Sequence, residues 1–166
     1  MLLQKIKSLL PTIFLSNQLL LITVNHFLVI LNFLKNNIHY QFNSLQTIVG
    51  IDYINTTFRF ALVYQLYSYT NKQYLNLKIF IPLKQKMESL TPIFINANWF
   101  EREIWDLFGI FFKNHPDLRR ILTDYAFEGH PLRKDFPLTG FFETNFLEEK
   151  GGLVWHKLTI AQKSKF

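Results

Sequence analysis

Apolar positions recur along the chain with two periods. Leu2, Leu3, Ile6, Leu9 and Leu10 share one helical face, and Pro11 follows as a stop. Leu19 to Val24 is an unbroken apolar run, the pattern of a buried strand. Asn25 can cap a helix whose Phe27, Ile30, Leu31 and Leu34 form one stripe, ending at Lys35-Asn36-Asn37. Leu45, Thr47, Val49, Ile51 and Tyr53 then alternate as in a half-buried strand, and Asn55-Thr56-Thr57 supplies a turn. Phe58 to Tyr69 is apolar and aromatic on both faces, as a central strand is. After a turn at Thr70-Asn71-Lys72, residues Leu75, Leu77, Ile79, Ile81 and Leu83 alternate against Asn76, Lys78 and Pro82. The pattern predicts an antiparallel β-meander with helices packed on one face, an α+β fold. Tyr64, Tyr67, Tyr69 and Tyr74 cannot all be core; any single one is explained by a half-buried ring with a wet hydroxyl, and the group together suits a covered surface.

A last helix is expected over residues 98–108. Asn98 can cap it, and Glu101 stands at the capping-box position three residues on. Phe100, Ile104, Leu107 and Phe108 recur at helical spacing, Arg102 and Asp106 lie four apart, and Gly109 suits a left-handed stop. The regular pattern ends there, because His115-Pro116, His130-Pro131 and Phe136-Pro137 each push the preceding residue out of helical geometry. We therefore expect a core domain over residues 1–108 and an extended docking segment with a C-terminal tail over 109–166. Such a segment has little core of its own, so its order is expected to come from a partner surface. Seven of the twelve carboxylates and four of the five arginines fall between Asn98 and Asp135. A surface loop with scattered ion pairs, each worth about 0–1 kcal/mol, is the plain explanation. Arginines and aromatics concentrated in a long irregular stretch suit partner docking better.

The same stretch carries a resemblance. Glu101, Arg102, Glu103, Trp105, Asp106, Phe108 and Gly109 form an E-R-E-x-W-D-x-F-G core. N-H-P-D-L-R-R-I-L-T-D-Y follows from Asn114 to Tyr125, and F-E-G-H-P-L-R-K-D-F-P-L from Phe127 to Leu138. This run resembles the signature of a hydrophilic subunit of respiratory complex I, the one called subunit 9 in mitochondrial genomes, which has a bacterial counterpart. Weaker similarity reaches back through Arg59-Phe60 and Ile51-Asp52-Tyr53 to about Leu19. Ala126 stands where that family usually has Gly, and Asn145 where an Arg is usual. The tail LTIAQKSKF resembles the family poorly.

Composition narrows the chemistry. There is no cysteine among the 166 residues, which excludes disulfides and Fe–S or zinc ligation through thiolates. The bias toward Phe, Ile, Asn, Lys, Tyr and Leu fits an A+T-rich organelle gene. The formal +6 charge arises before Asn98, where isolated lysines form no block, so solvated edges explain it better than nucleic acid does. The charge-free run from Lys7 to Lys35 is interrupted at Ser16-Asn17-Gln18 and Asn25-His26, short of the ~18–20 apolar residues a membrane span needs. The N-terminus lacks Arg and makes a poor transit peptide. His115 and His130 have no helical metal-ligand spacing, and Glu101 and Glu103, two apart, project away from each other. No Ser lies in a G-x-S-x-G context, and no phosphate-binding glycine loop occurs.

These readings predict a chain without catalytic, cofactor or metal residues. The resemblance implies a structural subunit in the peripheral arm of proton-pumping NADH:ubiquinone oxidoreductase, on the matrix side of the mitochondrial inner membrane. It would pack beside the quinone-site subunit, with FMN and Fe–S clusters held by partner subunits and the membrane met only through the complex. The scaffold and interface residues are then expected to be Glu101, Arg102, Glu103, Asp106, His115, Arg119, Arg120, Asp124, Glu128, His130, Arg133 and Asp135. The rival class is a basic organellar RNA-binding or ribosomal protein with aromatic strands as a stacking platform. It would need its charge clustered on the sheet face.

Overall fold

A computed structural model describes residues 15–16, 19–148 and 151–158. The expected N-terminal helix over Leu2–Leu10 and the tail from Thr159 lie outside them. The elements are β1 (Leu15–Ser16), β2 (Leu19–Ile22), α1 (Phe27–Asn36), β3 (Ser44–Asp52), β4 (Phe60–Ser68) and β5 (Gln73–Ile81), followed by β6 (Met87–Glu88), α2 (Ala97–Phe108), β7 (Phe112–Lys113), β8 (Phe142–Leu147) and β9 (Gly152–Lys157). Strands β3, β4 and β5 form the expected antiparallel meander inside a five-stranded sheet ordered β1-β2-β5-β4-β3. One pairing lies outside that expectation: β2 runs parallel to β5, with Leu20 opposite Leu77 and Ile22 opposite Ile79. Helix α1 supplies the crossover that a parallel return needs.

Both helices cover one face of the sheet, which makes the fold α+β. The α1 stripe is the one read from the sequence, with Phe27, Ile30, Leu31 and Leu34 all buried. They meet Leu62, Tyr64, Leu66, Leu75, Leu77 and Ile79 in a single core, where Phe27 stacks on Tyr64 at 4.7 Å between ring centres. Each such side chain withdrawn from water contributes about 1.5–3 kcal/mol. The cap at Asn25 is corrected: Val24–His26 form a 3-10 turn, and His26 precedes the helix with no side-chain cap bond.

The β3 alternation is also corrected. A bulge between Leu45 and Thr47 shifts the register by one residue, so Ile48 and Asp52 are buried while Val49 turns outward. One extra residue in a strand sends every later side chain to the other face. Gly50 lies on the inner face opposite Leu62. A Cβ there would stand 2.7 Å from the Phe108 ring, so the missing side chain lets α2 lie directly on β3.

Helix α2 begins one residue earlier than expected, and its capping box does not form. Asn96 precedes it, accepts no helix N–H through its side chain, and donates its side-chain amide to Leu45 O. The C-terminal reading holds, since Gly109 is left-handed with φ 73° and donates its N–H to Trp105 O at 2.9 Å. Beyond it, β7 pairs with β6, an irregular stretch returns across α2, and β8 and β9 form a hairpin.

Candidate functional site

The signature charges converge on α2 from the segment that follows it. Asp106 is fully buried and accepts five hydrogen bonds. Its Oδ1 takes Arg120 Nη1 at 2.7 Å and the Thr123 hydroxyl at 2.5 Å. Its Oδ2 takes the backbone N–H groups of Ile121, Leu122 and Thr123 at 3.1, 2.9 and 3.0 Å. Burial alone would raise this carboxyl, but the Thr123, Leu122 and Arg120 bonds outweigh it and hold the group well below the usual range. A turn of three successive amides around an anion is a nest, and here the anion is the protein's own. Arg120 also donates to Gly129 O at 3.0 Å, with its guanidinium 5.8 Å from the Trp105 and Phe127 ring centres.

Two further bonds tie the segment down. His130 Nδ1 donates to the backbone oxygen of Asp106 at 2.8 Å, and Arg133 Nε donates to Phe108 O at 2.6 Å. The imidazole and guanidinium crowd Gly109, where a Cβ would stand 2.5 Å from His130 and closer still to Arg133 Nη2. Side-chain and backbone bonds to α2 fasten a segment that lacks a core.

A second cluster joins the segment to the sheet. Arg59 grips Asp52 with two bonds of 3.0 Å and reaches Asp135 at 2.6 Å. Asp52 also accepts the Lys134 N–H at 2.8 Å. The hydrogen bonds to Asp52 and Asp135 hold the Arg59 guanidinium above its ordinary range, and Arg59 holds the Asp135 carboxyl below its own. Arg59 and Arg133 lie 5.3 and 5.5 Å from the Phe60 ring centre.

Glu101 faces the core. Its Oε1 accepts the Leu90 N–H and its Oε2 the Ser89 hydroxyl, each at 2.6 Å. Burial pushes its carboxyl up to about 7 despite those bonds. His115, equally buried, brings Nε2 to 3.9 Å from Glu101 Oε2 and 3.3 Å from Asn98 O. Its Nδ1 accepts the Asp117 N–H at 3.1 Å, which places the proton on Nε2. Burial lowers the His115 pKa, so the ring is neutral at pH 7.

The proposed pairing of Arg102 with Asp106 is corrected: Asp106 points inward, and Arg102 Nε donates to Arg119 O at 3.3 Å. Arg119 lies exposed against Asp117 at 2.9 Å. Arg133 meets a carbonyl and an aromatic ring. Glu103 is half-buried, Asp124 and Glu128 are exposed, and none of the three makes a side-chain bond among the described residues. Sequence reasoning missed Asp52, Arg59, Ser89 and Thr123 as members of these clusters. Asp52 had a signal, being one of two acids before Asn98 and set in an apolar strand. No group of three His, Cys, Asp or Glu able to hold a metal occurs among the described residues. No helix there is long and apolar enough to cross a membrane.

The arrangement defines a small α+β scaffold whose acidic helix fastens its own C-terminal segment. A family described as the respiratory-chain NADH dehydrogenase 30 kDa subunit matches residues 20–142, and the chain belongs to it. It is 49% identical over 130 residues to mitochondrial NADH dehydrogenase (ubiquinone) iron-sulfur protein 3 of Candida albicans, covering 78% of this chain and 47% of that one. It is 46% identical over 134 residues to NADH-ubiquinone oxidoreductase subunit 9 of Reclinomonas americana, covering 81% and 66%. Identity and coverage are the same for the corresponding NADH-quinone oxidoreductase subunit of Brucella ovis. The match thus spans about half to two thirds of these relatives' lengths. The fold also matches a chain of an archaeal respiratory membrane complex, the membrane-bound sulfane sulfur reductase, with a TM-score of 0.70, 22% identity and 82% and 84% of the two chains covered.

Proposed function

We propose that this chain is a non-catalytic structural subunit in the peripheral arm of NADH:ubiquinone oxidoreductase, packed beside the quinone-site subunit on the matrix side of the mitochondrial inner membrane. In this reading it supports electron transfer from NADH to ubiquinone by holding its neighbours, while FMN and Fe–S clusters reside in other subunits. One observation carries the proposal: Asp106, Arg120, His130 and Arg133 are engaged in bonds that fix the shape of the chain itself. That shape presents Phe142, Phe146, Leu153 and Trp155 to solvent on the β8–β9 hairpin. A two-stranded hairpin is marginal by itself, and a partner covering this apolar surface would complete it.

The test is to express Arg120→Met and to measure assembled complex on native gels beside NADH:quinone turnover. Abundance should fall while turnover per assembled complex stays normal. Normal abundance with collapsed turnover per complex would overturn the scaffold reading and place these residues in electron or proton transfer.

A further inference from the structure

The helices cover one face of the sheet, and no helix among the described residues covers the other. A solvent-facing sheet surface ordinarily alternates polar side chains outward. Here the outward rows read Ile51, Ala61 and Phe80 across β3, β4 and β5, then Val49, Val63 and Lys78, then the polar row Thr47, Gln65 and Asn76, with Tyr67 opposite Tyr74 beyond it. Val49, Tyr74 and Phe80 are 47%, 51% and 38% exposed. Lys78 is the one charged residue on these rows, and no carboxylate accompanies it. Its Nζ donates to the Tyr53 hydroxyl at 2.9 Å and stands 5.2 and 4.9 Å from the Tyr53 and Phe80 ring centres. The amine is thereby fixed against aromatic rings, beside the polar row of Gln65 and Asn76.

We infer that this helix-free face is a second docking surface, fitted to a protein partner that sets a carboxylate against Lys78 within a contact of mixed apolar and polar side chains. The inference rests on the reading of the chain as an assembly subunit, but not on which assembly holds it. Two physical arguments choose this occupant. The charge on the face is positive and lacks a counter-ion, and residues before Asn98 hold eight Lys and Arg against two acids. Both acids are already paired, Asp52 with Arg59 and Glu88 with Lys113. An acidic partner surface is therefore complementary, whereas a second copy would bring Lys78 toward another cation. The size also fits. Three strands of nine residues at about 3.3 Å per residue, spaced about 4.8 Å apart, give roughly 430 Å² of face. That is about half of the ~800 Å² that one side of a standard protein interface buries.

The closing experiment uses the full chain, tagged, both free and within the particle that it forms. Lys78 is acylated with an amine-reactive reagent in each state, and the particle is treated with a carbodiimide that joins amines to touching carboxylates. The expected result is an order-of-magnitude slower acylation of Lys78 in the particle. An amide between Lys78 and an Asp or Glu of a different polypeptide should accompany it. Equal acylation in both states overturns the inference, as does coupling to a second copy of this chain. Protection that disappears when bound lipid is removed also overturns it, since a membrane would then be the cover. NADH oxidation by the same particle reports separately on the proposed function. A particle without that activity in which Lys78 is coupled to another protein would refute the complex I assignment and retain this surface.

Discussion

Replacing Asp106 by Ala removes the acceptor on which the returning segment converges. Arg120, with its side chain 15% exposed, would lose its carboxylate, and three backbone amides would lose their acceptor. Removing one member of a buried pair typically costs ~3–5 kcal/mol, and an orphaned buried donor ~1–3 kcal/mol. Arg120 retains Thr123 and Gly129 O, and residues 121–123 are near enough to water for partial relief, so we expect about 3–4 kcal/mol. At ~1.4 kcal/mol per factor of ten, exchange of the Ile121, Leu122 and Thr123 amides in the free chain should accelerate by about two to three orders of magnitude. Asp106→Asn keeps one oxygen for the amides and loses the charge, so its effect should be smaller. The pH dependence has a definite sign. Asp106 is held below its ordinary 3.8, so its stabilisation is present above that value and is lost as pH falls below it. The Asn variant should lose that part of the acid sensitivity. Unchanged exchange of the three amides in Asp106→Ala would refute the account, whatever happened to global stability.

Glu101 supplies the opposite pH sign. Its carboxyl is raised from an ordinary 4.5 to about 7, so its contribution favours folding at low pH and is lost as pH rises between those values. Glu101→Gln should therefore gain stability over the wild type between pH 5 and pH 8, read as the difference in urea midpoints, and an unchanged difference would place Glu101 in contact with water. Gly50→Ala brings a Cβ to 2.7 and 2.9 Å from the Phe108 ring and should cost ~1–3 kcal/mol by forcing α2 off β3, measured by urea unfolding.

The parts of the fold that were legible share one cause, a period that survives folding unbroken. The α1 stripe and the Leu75 to Ile81 alternation remain in register from end to end, so sequence spacing equals spatial facing. The β3 reading failed at one residue because a bulge leaves no compositional mark when the extra position is Gln46 between Leu45 and Thr47. The capping box failed for a different reason. Glu101 has the right spacing for a cap, but Ser89 and Leu90, well upstream of the helix, offer it donors inside the core. Local spacing cannot show a competitor of that kind. The parallel strand β2 was legible as a strand and illegible as a neighbour, since α1, β3 and β4 all intervene in the chain between Leu20 and its partner Leu77.

Those failures bear on how the signature charges divide between fold and docking. Asp106, Arg120, His130 and Arg133 look like interface residues in sequence because they are charged and lie in a long irregular stretch. In three dimensions they hold that stretch to α2, so a variant at any of them perturbs the subunit before it meets a partner. Glu128 is exposed and makes no side-chain bond among the described residues, so a variant there leaves the bonds of the subunit itself intact. Free-chain stability and assembly should therefore separate the two groups. Arg120→Met should lower both the urea midpoint of the isolated chain and the amount of assembled particle, in the direction set by losing the Asp106 pair. Glu128→Gln should change isolated stability by no more than ~0.5 kcal/mol, as surface substitutions do, while lowering assembly if its face is docked. An isolated Arg120→Met chain as stable as the wild type would show that the fastening bonds form only against a partner. The signature would then be an interface code after all.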